Sequence, residues 1–319
     1  MVNFSNNKRS RIFPGCYVAF HKQLGDLVLL EPSISRLRDF YGEPVRLMTR
    51  GSFRPVLKLM PGVRFVLGPP FIPASAAYCY DHLTKSATRT LFTPVMKRHA
   101  VLPEEKEITP WHRRIFSHID GATLRDEYVA KYLWEHTPVP TEKAFQIPTL
   151  TAPPEKWRPA GIPEGGFILC SPTAGWQFKS WTAEYWAKTL KAAQDMTKLP
   201  VLILGASTDW QVEHAREIAA LVGKGVCCLA GDTTLENFLW LTANAKIIFA
   251  VDGAASHLAS AFRVRSVTVF GKTNERKWHW DTVRNKALRA PLNPEGEHLL
   301  RNLAPEPVIE TAREIWING

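Results

Sequence analysis

Five short apolar runs, separated by four stretches of helical periodicity, fill the second half of this chain and leave few folds open to it. The runs span 167–170, 201–204, 226–229, 247–251 and 267–270. Continuous apolar runs of this length, rich in Val and Ile, are the pattern of strands buried on both faces. Helical patterns cover 182–196, 208–222, 234–244 and 255–262. Strands alternating with helices imply crossover connections, hence a parallel, doubly wound α/β sheet. The first half alternates less cleanly. Strands are expected over 16–20, 45–48, 63–67 and 76–80, and helices over 27–40, 53–60 and 122–136. Residues 1–10 read as a polar tail, and 84–120 as basic and irregular, with Arg98, His99, Arg113 and Arg114 around Trp111.

The 138–163 stretch is proline-rich and is the best linker in the chain. The expected organisation is a first α/β domain over 1–150, a linker over 151–163 and a second domain over 164–305. A final helix over 306–319 is free to pack back on the first domain. At 319 residues two domains agree with the length.

Net charge is +10, which favours anionic partners such as nucleotides, phosphorylated sugars, nucleic acid or an acidic membrane surface. A solvated basic face explains it equally well. The five cysteines are Cys16, Cys79, Cys170, Cys227 and Cys228, an odd number without metal-ligand spacing. Three lie in apolar strand-like runs, where Cys serves as a small hydrophobe, so a reducing cytoplasm is expected. No signal core and no transmembrane run is visible, and any membrane contact would be peripheral.

Three groups of chemistry-bearing residues fall at strand ends. The first is Gly25-Asp26, after the first strand. The second runs from Ser171 to Trp181, with Thr173 and Ala174 followed by Lys179. The third is Asp252-Gly253-Ala254-Ala255-Ser256-His257, between a buried strand and a helix. Open α/β sheets bind ligands at the carboxyl ends of their strands. A helix N-terminus offers free N–H groups to an anion. Lys179 can supply a point charge to a phosphate. Together the second and third groups describe a diphosphate site, and the first adds a carboxylate. Each group also has an ordinary structural reading: Asp26 as a helix cap, Lys179 as a loop lysine, Trp176 and Trp181 as core or hinge packing, and the third group as a plain strand-turn-helix with a satisfied histidine.

Four segments together resemble glycosyltransferase family 9, the ADP-heptose:lipopolysaccharide heptosyltransferases. They are Gly25 to Pro32 (GDLVLLEP), Lys179-Ser180-Trp181, Leu229 to Glu236 (LAGDTTLE), and Asp252 to Leu258 followed by Phe270-Gly271-Lys272-Thr273. The resemblance spans about residues 15–280 and implies the GT-B architecture: two Rossmann-like domains facing each other across a cleft. It implies an inverting sugar transfer from a nucleotide sugar, by family default heptose from ADP-heptose, to a hydroxyl of a bacterial lipopolysaccharide or related surface glycan. It implies no cofactor and no metal. By resemblance, Asp26 is the general base. Lys179, Thr173 and the helix start at Ala254 to His257 stabilise the diphosphate leaving group, and Asp252 binds donor-sugar hydroxyls or fixes the turn. Asp209 or Glu213, after the strand ending at Leu204-Gly205, would meet the ribose or adenine. The partners implied are a nucleotide-sugar donor and an anionic glycan or glycolipid acceptor; the basic residues of 84–120 read either as an acceptor-binding surface or as a solvated face. The location implied is the cytoplasm, with peripheral contact at the inner membrane.

The sequence departs from the family pattern in three places. Gly253-Ala254 stands where the family has Ser or Thr followed by Gly. Glu31 replaces a small residue before Pro32, and Ser171-Pro172-Thr173-Ala174 replaces an HPGA-like run. Two other functions use the same fold: a nucleotide-sugar epimerase and a non-catalytic nucleotide-sugar-binding protein. A dehydrogenase is disfavoured by the lack of G-x-G-x-x-G, and no nucleic-acid-binding motif is recognised.

Overall fold

The computed structural model describes residues 15–319 except 43, 68–71, 82–84, 103–107, 123 and 125. The polar tail expected over 1–10 lies outside the described residues. The chain divides into two compact units. The first takes the described residues of 1–23, 30–124 and 129–146, the second 24–29, 125–128 and 147–319.

In chain order the first half runs β1 (Cys16–Ala19), α1 (Leu24–Leu29), α2 (Glu31–Tyr41), β2 (Val45–Met48), α3 (Arg54–Leu57), β3 (Val63–Val66), β4 (Ala74–Cys79), α4 (Lys85–Leu91), β5 (Val95–Leu102), α5 (Pro110–Ile115), β6 (His118–Gly121) and α6 (Val129–Glu135). Its strands form a six-stranded sheet in the order β3-β2-β1-β4-β5-β6, every pair parallel. The central β1 is buried at all four positions, which is why CYVA carries no charged residue and the Tyr17 hydroxyl is satisfied by the Ile72 carbonyl.

Two expectations change here. The single helix expected over 27–40 is two helices, because Pro32 lacks the N–H that a continuous helix would need and its ring would crowd the carbonyl of Val28. A new helix therefore starts at Glu31, with Pro32 in its first turn. The 84–120 region is not irregular: it supplies two strands and two helices of the sheet layer. Its basic residues partly serve the fold. Arg98 donates from Nε to the Thr90 carbonyl (2.9 Å) and from Nη2 to those of Leu91 (3.1 Å) and Thr93 (3.0 Å), closing the C-terminal end of α4. His99 is buried and stacks on Tyr78, ring centroids 4.9 Å apart.

The second half runs β7 (Ile168–Ser171), α7 (Ala183–Thr197), β8 (Val201–Ile203), α8 (Asp209–Val222), β9 (Val226–Cys228), α9 (Leu235–Asn244), β10 (Ile247–Val251), α10 (Ala254–Ala261), β11 (Arg265–Phe270), α11 (Glu275–Trp278), β12 (Asn285–Arg289) and α12 (Pro305–Asn318). The sheet order is β12-β11-β10-β7-β8-β9, again all parallel. β10 is buried throughout and sits between β7 and β11, with Ile247 in register with Ile168 and Arg265. Helix starts follow their caps: the Thr182 hydroxyl accepts from the Tyr185 N–H, and that of Thr234 from the Asn237 N–H.

One core cluster joins α7, α12 and the sheet. Trp181 and Trp186 meet edge to face at 5.0 Å, and the Trp181 indole N–H donates to the Leu303 carbonyl at 3.0 Å. Val308, Ala312 and Ile315 of α12 enter the same core. The final helix, expected to be free to reach the first domain, thus has its apolar stripe spent within the second unit. The linker is tied down as well. Leu150 N–H donates to the Ala261 carbonyl, Asn237 Nδ2 to that of Trp157, and Trp240 Nε1 to Glu155 Oε2. Among the described residues no helix is long and apolar enough to cross a membrane.

Candidate active site

The strand order of the second sheet reverses between β7 and β10. From β7 the chain steps outward to β8 and β9, then returns to the other side of β7 as β10. At such a switch point the loops leave the two strands in opposite directions and open a crevice at their carboxyl ends. The loop after β7 supplies Thr173, Ala174 and Lys179 to this place. The turn after β10 supplies Asp252 and the start of α10.

Lys179 Nζ lies 2.6 Å from Asp252 Oδ2. The carboxylate is almost fully buried and the lysine side chain is 19% exposed, so the pair is shielded from bulk water on the aspartate side. The pairing neutralises a carboxylate that would otherwise repel an anion at the helix start. Asp252 is held by its own backbone as well, its N–H donating to the Val269 carbonyl at 3.3 Å. Gly253 caps α10 in extended backbone, and the Ser256 hydroxyl donates to its carbonyl at 2.9 Å. The first N–H groups of α10, at Ala254 and Ala255, have no partner within the helix by the geometry of a helix start.

Opposite this turn, the Thr173–Ala174 segment is braced from α8. Gln211 Nε2 donates to Thr173 Oγ1 and to the Ala174 carbonyl, both at 3.0 Å, while Gln211 Oε1 accepts from the Thr208 hydroxyl at 2.7 Å. Accepting from Gln211 leaves the Thr173 hydroxyl its own hydrogen to donate. Ala174 and Gly253 abut: a Cβ on Gly253 would lie 3.2 Å from that of Ala174. The glycine that departs from the family pattern thus matches an alanine across the crevice, and a Ser or Thr there would press on it.

His257 is buried one turn into α10. Burial pushes its pKa down to about 4, with Asp252 pulling the other way and His279 and Lys179 adding to the decrease. Its imidazole is therefore neutral near pH 7. It contributes shape and hydrogen-bonding capacity to the helix start rather than charge. It packs on α1, where Gly25 presents bare backbone to the ring. Asp26, the next residue, lies in the first turn of α1 and is partly buried. Gly25 and Asp26 were expected in a turn; both are helical.

The structure therefore brings together Thr173, Ala174, Lys179, Asp252, Gly253, Ala254, Ala255, Ser256 and His257, and seats the helix of Asp26 against α10. Asp209 and Glu213, the residues expected at the ribose or adenine, lie exposed on α8, two residues to either side of Gln211. Gln211, between them, was missed. The signal was present, because Gln211, Ala215, Ile218 and Val222 form the buried stripe of that helix at helical spacing. His279 was missed too. It is buried beyond the end of β11, edge-on to Phe270, and burial lowers its pKa, with Asp281 the main opposing influence. The two tryptophans of the β7 loop part company: Trp181 is core, as read, whereas Trp176 is 64% exposed.

Two doubly wound units in one chain, the second with this crevice, define the GT-B class. Residues 135–307 match the model of glycosyltransferase family 9 (heptosyltransferase). Lipopolysaccharide heptosyltransferase 3 of Escherichia coli K12 is 30% identical over 113 residues, a match spanning 35% of this chain and 33% of that protein. The structure of E. coli ADP-heptose LPS heptosyltransferase II superposes with a TM-score of 0.76 at 18% identity, covering 96% of this chain and 99% of the other. E. coli heptosyltransferase WaaC with ADP gives 0.74 at 15% identity, with 94% and 99% covered. At these identities the structural likenesses speak for the fold. The family match covers over half of the chain, and the chain belongs to glycosyltransferase family 9.

Proposed function

We propose that this protein is a glycosyltransferase of the heptosyltransferase type, moving a sugar from a nucleotide donor to a hydroxyl of a bacterial lipopolysaccharide or related surface glycan. The observation that carries the reading is the Lys179–Asp252 pair at the start of α10, facing the Thr173–Ala174 segment braced by Gln211. It offers what a nucleoside diphosphate would need: a cation, a hydroxyl and helix N–H groups at the carboxyl ends of the adjacent strands β7 and β10.

The proposed donor is ADP-heptose and the proposed course is inverting and metal-independent. The Asp26 carboxylate takes the proton of the acceptor hydroxyl. The acceptor oxygen forms its bond to the anomeric carbon from the face opposite the diphosphate. The bond from that carbon to the diphosphate oxygen breaks, and the nucleoside diphosphate leaves with the electron pair. Lys179 and the start of α10 take up the charge that develops on the leaving oxygen. On this reading a bound diphosphate competes with Asp252 for Lys179, and the released Asp252 carboxylate accepts from donor-sugar hydroxyls. The proposed place of action is the cytoplasmic face of the inner membrane, in keeping with the net charge of +10.

The test is calorimetric titration of the purified chain with ADP, UDP, GDP and their sugar conjugates in EDTA, followed by transfer assays. Selective ADP binding in EDTA and acceptor-dependent turnover support the proposal. Preference for UDP or GDP keeps a transferase and rejects the donor. Donor turnover without any acceptor indicates an epimerase, and no nucleotide binding indicates a non-catalytic protein.

A further inference from the structure

The loop between β7 and α7 holds two large aromatic side chains out in solvent beside the candidate active site. Trp176 is 64% exposed and Phe178 is 51% exposed, their ring centroids 6.2 Å apart and their planes at 31°. Contiguous exposed apolar surface marks interaction sites, whereas apolar side chains exposed singly do not; these two rings are exposed side by side. The loop is not loose. A short 3-10 turn at Gln177–Lys179 is closed by Lys179 N–H to the Trp176 carbonyl (3.0 Å) and Ser180 N–H to that of Gln177 (2.9 Å). Beyond the turn, Lys179 is tied to Asp252 and Trp181 to Leu303. Before it, Thr173 and Ala174 are tied to Gln211. The backbone carrying the two rings is thus anchored on both sides, and the rings stand one residue to either side of Gln177.

We propose that Trp176 and Phe178 form a stacking platform for a saccharide ring of the acceptor, next to the point where Lys179 meets the diphosphate. The inference rests on the glycosyl-transfer reading above and adds a subsite to it. The chemistry favours a sugar. The apolar C–H face of a pyranose rests on an aromatic face while its hydroxyl groups stay in water, which suits a one-sided, open platform. A nucleobase in a selective site is enclosed and hydrogen-bonded, whereas the neighbours of these rings, Gly175 and Gln177, are themselves exposed. A membrane-inserting loop pairs its aromatics with outward lysines or arginines. The one cation of this loop, Lys179, is turned inward to Asp252.

The experiment uses the full chain and delipidated lipopolysaccharide core oligosaccharide as probe, titrated by calorimetry with ADP present. Wild type is expected to bind the oligosaccharide. Trp176→Ala should weaken that binding about tenfold, the double variant with Phe178→Ala more so, and Trp176→Tyr should keep most of it. ADP affinity, measured separately, should stay within about twofold of wild type in every variant, which also shows that they are folded. The proposal is overturned if wild type does not bind the oligosaccharide or if the double variant binds it equally well. Loss of ADP affinity in Trp176→Ala would make the platform a nucleobase site instead. Loss of binding to phosphatidylglycerol vesicles, with oligosaccharide binding intact, would make it a membrane contact. If wild type binds the oligosaccharide through these rings but no nucleotide, the transferase reading fails and the saccharide platform stands.

Discussion

Gly25 of α1 meets the His257 imidazole of α10 so closely that a Cβ at position 25 would lie 2.7 Å from His257 Cδ2. No carbon–carbon contact of that length survives without movement. Gly25→Ala should therefore push α1 away from α10 and cost about 1–3 kcal/mol, the usual range for overpacking. Replacing His257 by Ala in the same chain should relieve the clash. Urea unfolding of both single variants and the double variant gives the coupling energy, and strict additivity would show that the contact does not exist in solution.

Removing the lysine of the Lys179–Asp252 pair leaves a buried carboxylate without its cation. Lys179→Met should destabilise the chain by roughly 3 kcal/mol, in the range for breaking one partner of a buried pair. Asp252→Asn in the same chain should recover most of that loss, since it removes the stranded charge. Both changes should weaken ADP binding, so stability and affinity will separate in the double variant. A Lys179→Met chain as stable as wild type would place the pair in water.

Asp26→Asn keeps the shape of the side chain while removing its basicity. Folding and ADP affinity should be unchanged, and transfer should fall by about 100-fold or more, as expected for loss of a general base. The check is calorimetry alongside a single-turnover transfer assay. Wild-type turnover in this variant would remove Asp26 from the mechanism.

Acid should loosen the protein before it reaches the ordinary carboxylate range. His257 and His99 each have a folded pKa of about 4, held down chiefly by burial, against an ordinary value of 6.5. Below 6.5 the unfolded chain takes up protons at these positions that the folded chain refuses. Stability should thus fall as pH drops from 6.5 towards 4, by roughly 3 kcal/mol per histidine once pH 4 is reached. Asp81 works in the opposite sense: burial raises its carboxyl pKa, so its contribution favours the fold at low pH. Urea midpoints across this range provide the measurement, and His257→Gln should flatten the slope. A flat profile in wild type would mean that these rings are hydrated.

The parts of the fold that were legible in the sequence are those where one physical demand dominates. β1 and β10 are central strands buried at every position, so each is an unbroken apolar run. β6 and β12 are sheet edges, where polar residues are tolerated; HIDG and NKALR do not read as strands, and neither was found. The break between α1 and α2 was written in Pro32, but a proline early in a helix and a proline restarting one look alike. At the site, Asp252 and Lys179 were legible as members of separate groups. Their pairing across 73 residues was not, since it depends on β7 and β10 lying side by side. Gly25 was read as a turn residue, yet its role is to let His257 close. Nothing local in the sequence distinguishes those two uses of glycine.

The burial of the cysteines divides the molecule into separately readable halves. Cys16 and Cys79 are sealed in the first sheet and Cys170 in the second, while Cys227 stands exposed on the edge strand β9. Burial also raises the thiol pKa of Cys79 and Cys170, so even a small reagent finds little thiolate there. A thiol-modifying probe followed by peptide mapping would thus label Cys227 at once and then record, on Cys16 and Cys79 or on Cys170, how often each unit opens on its own. The rate at which ADP slows the Cys170 channel, relative to the other two, measures how far nucleotide binding stabilises one half of the chain without the other.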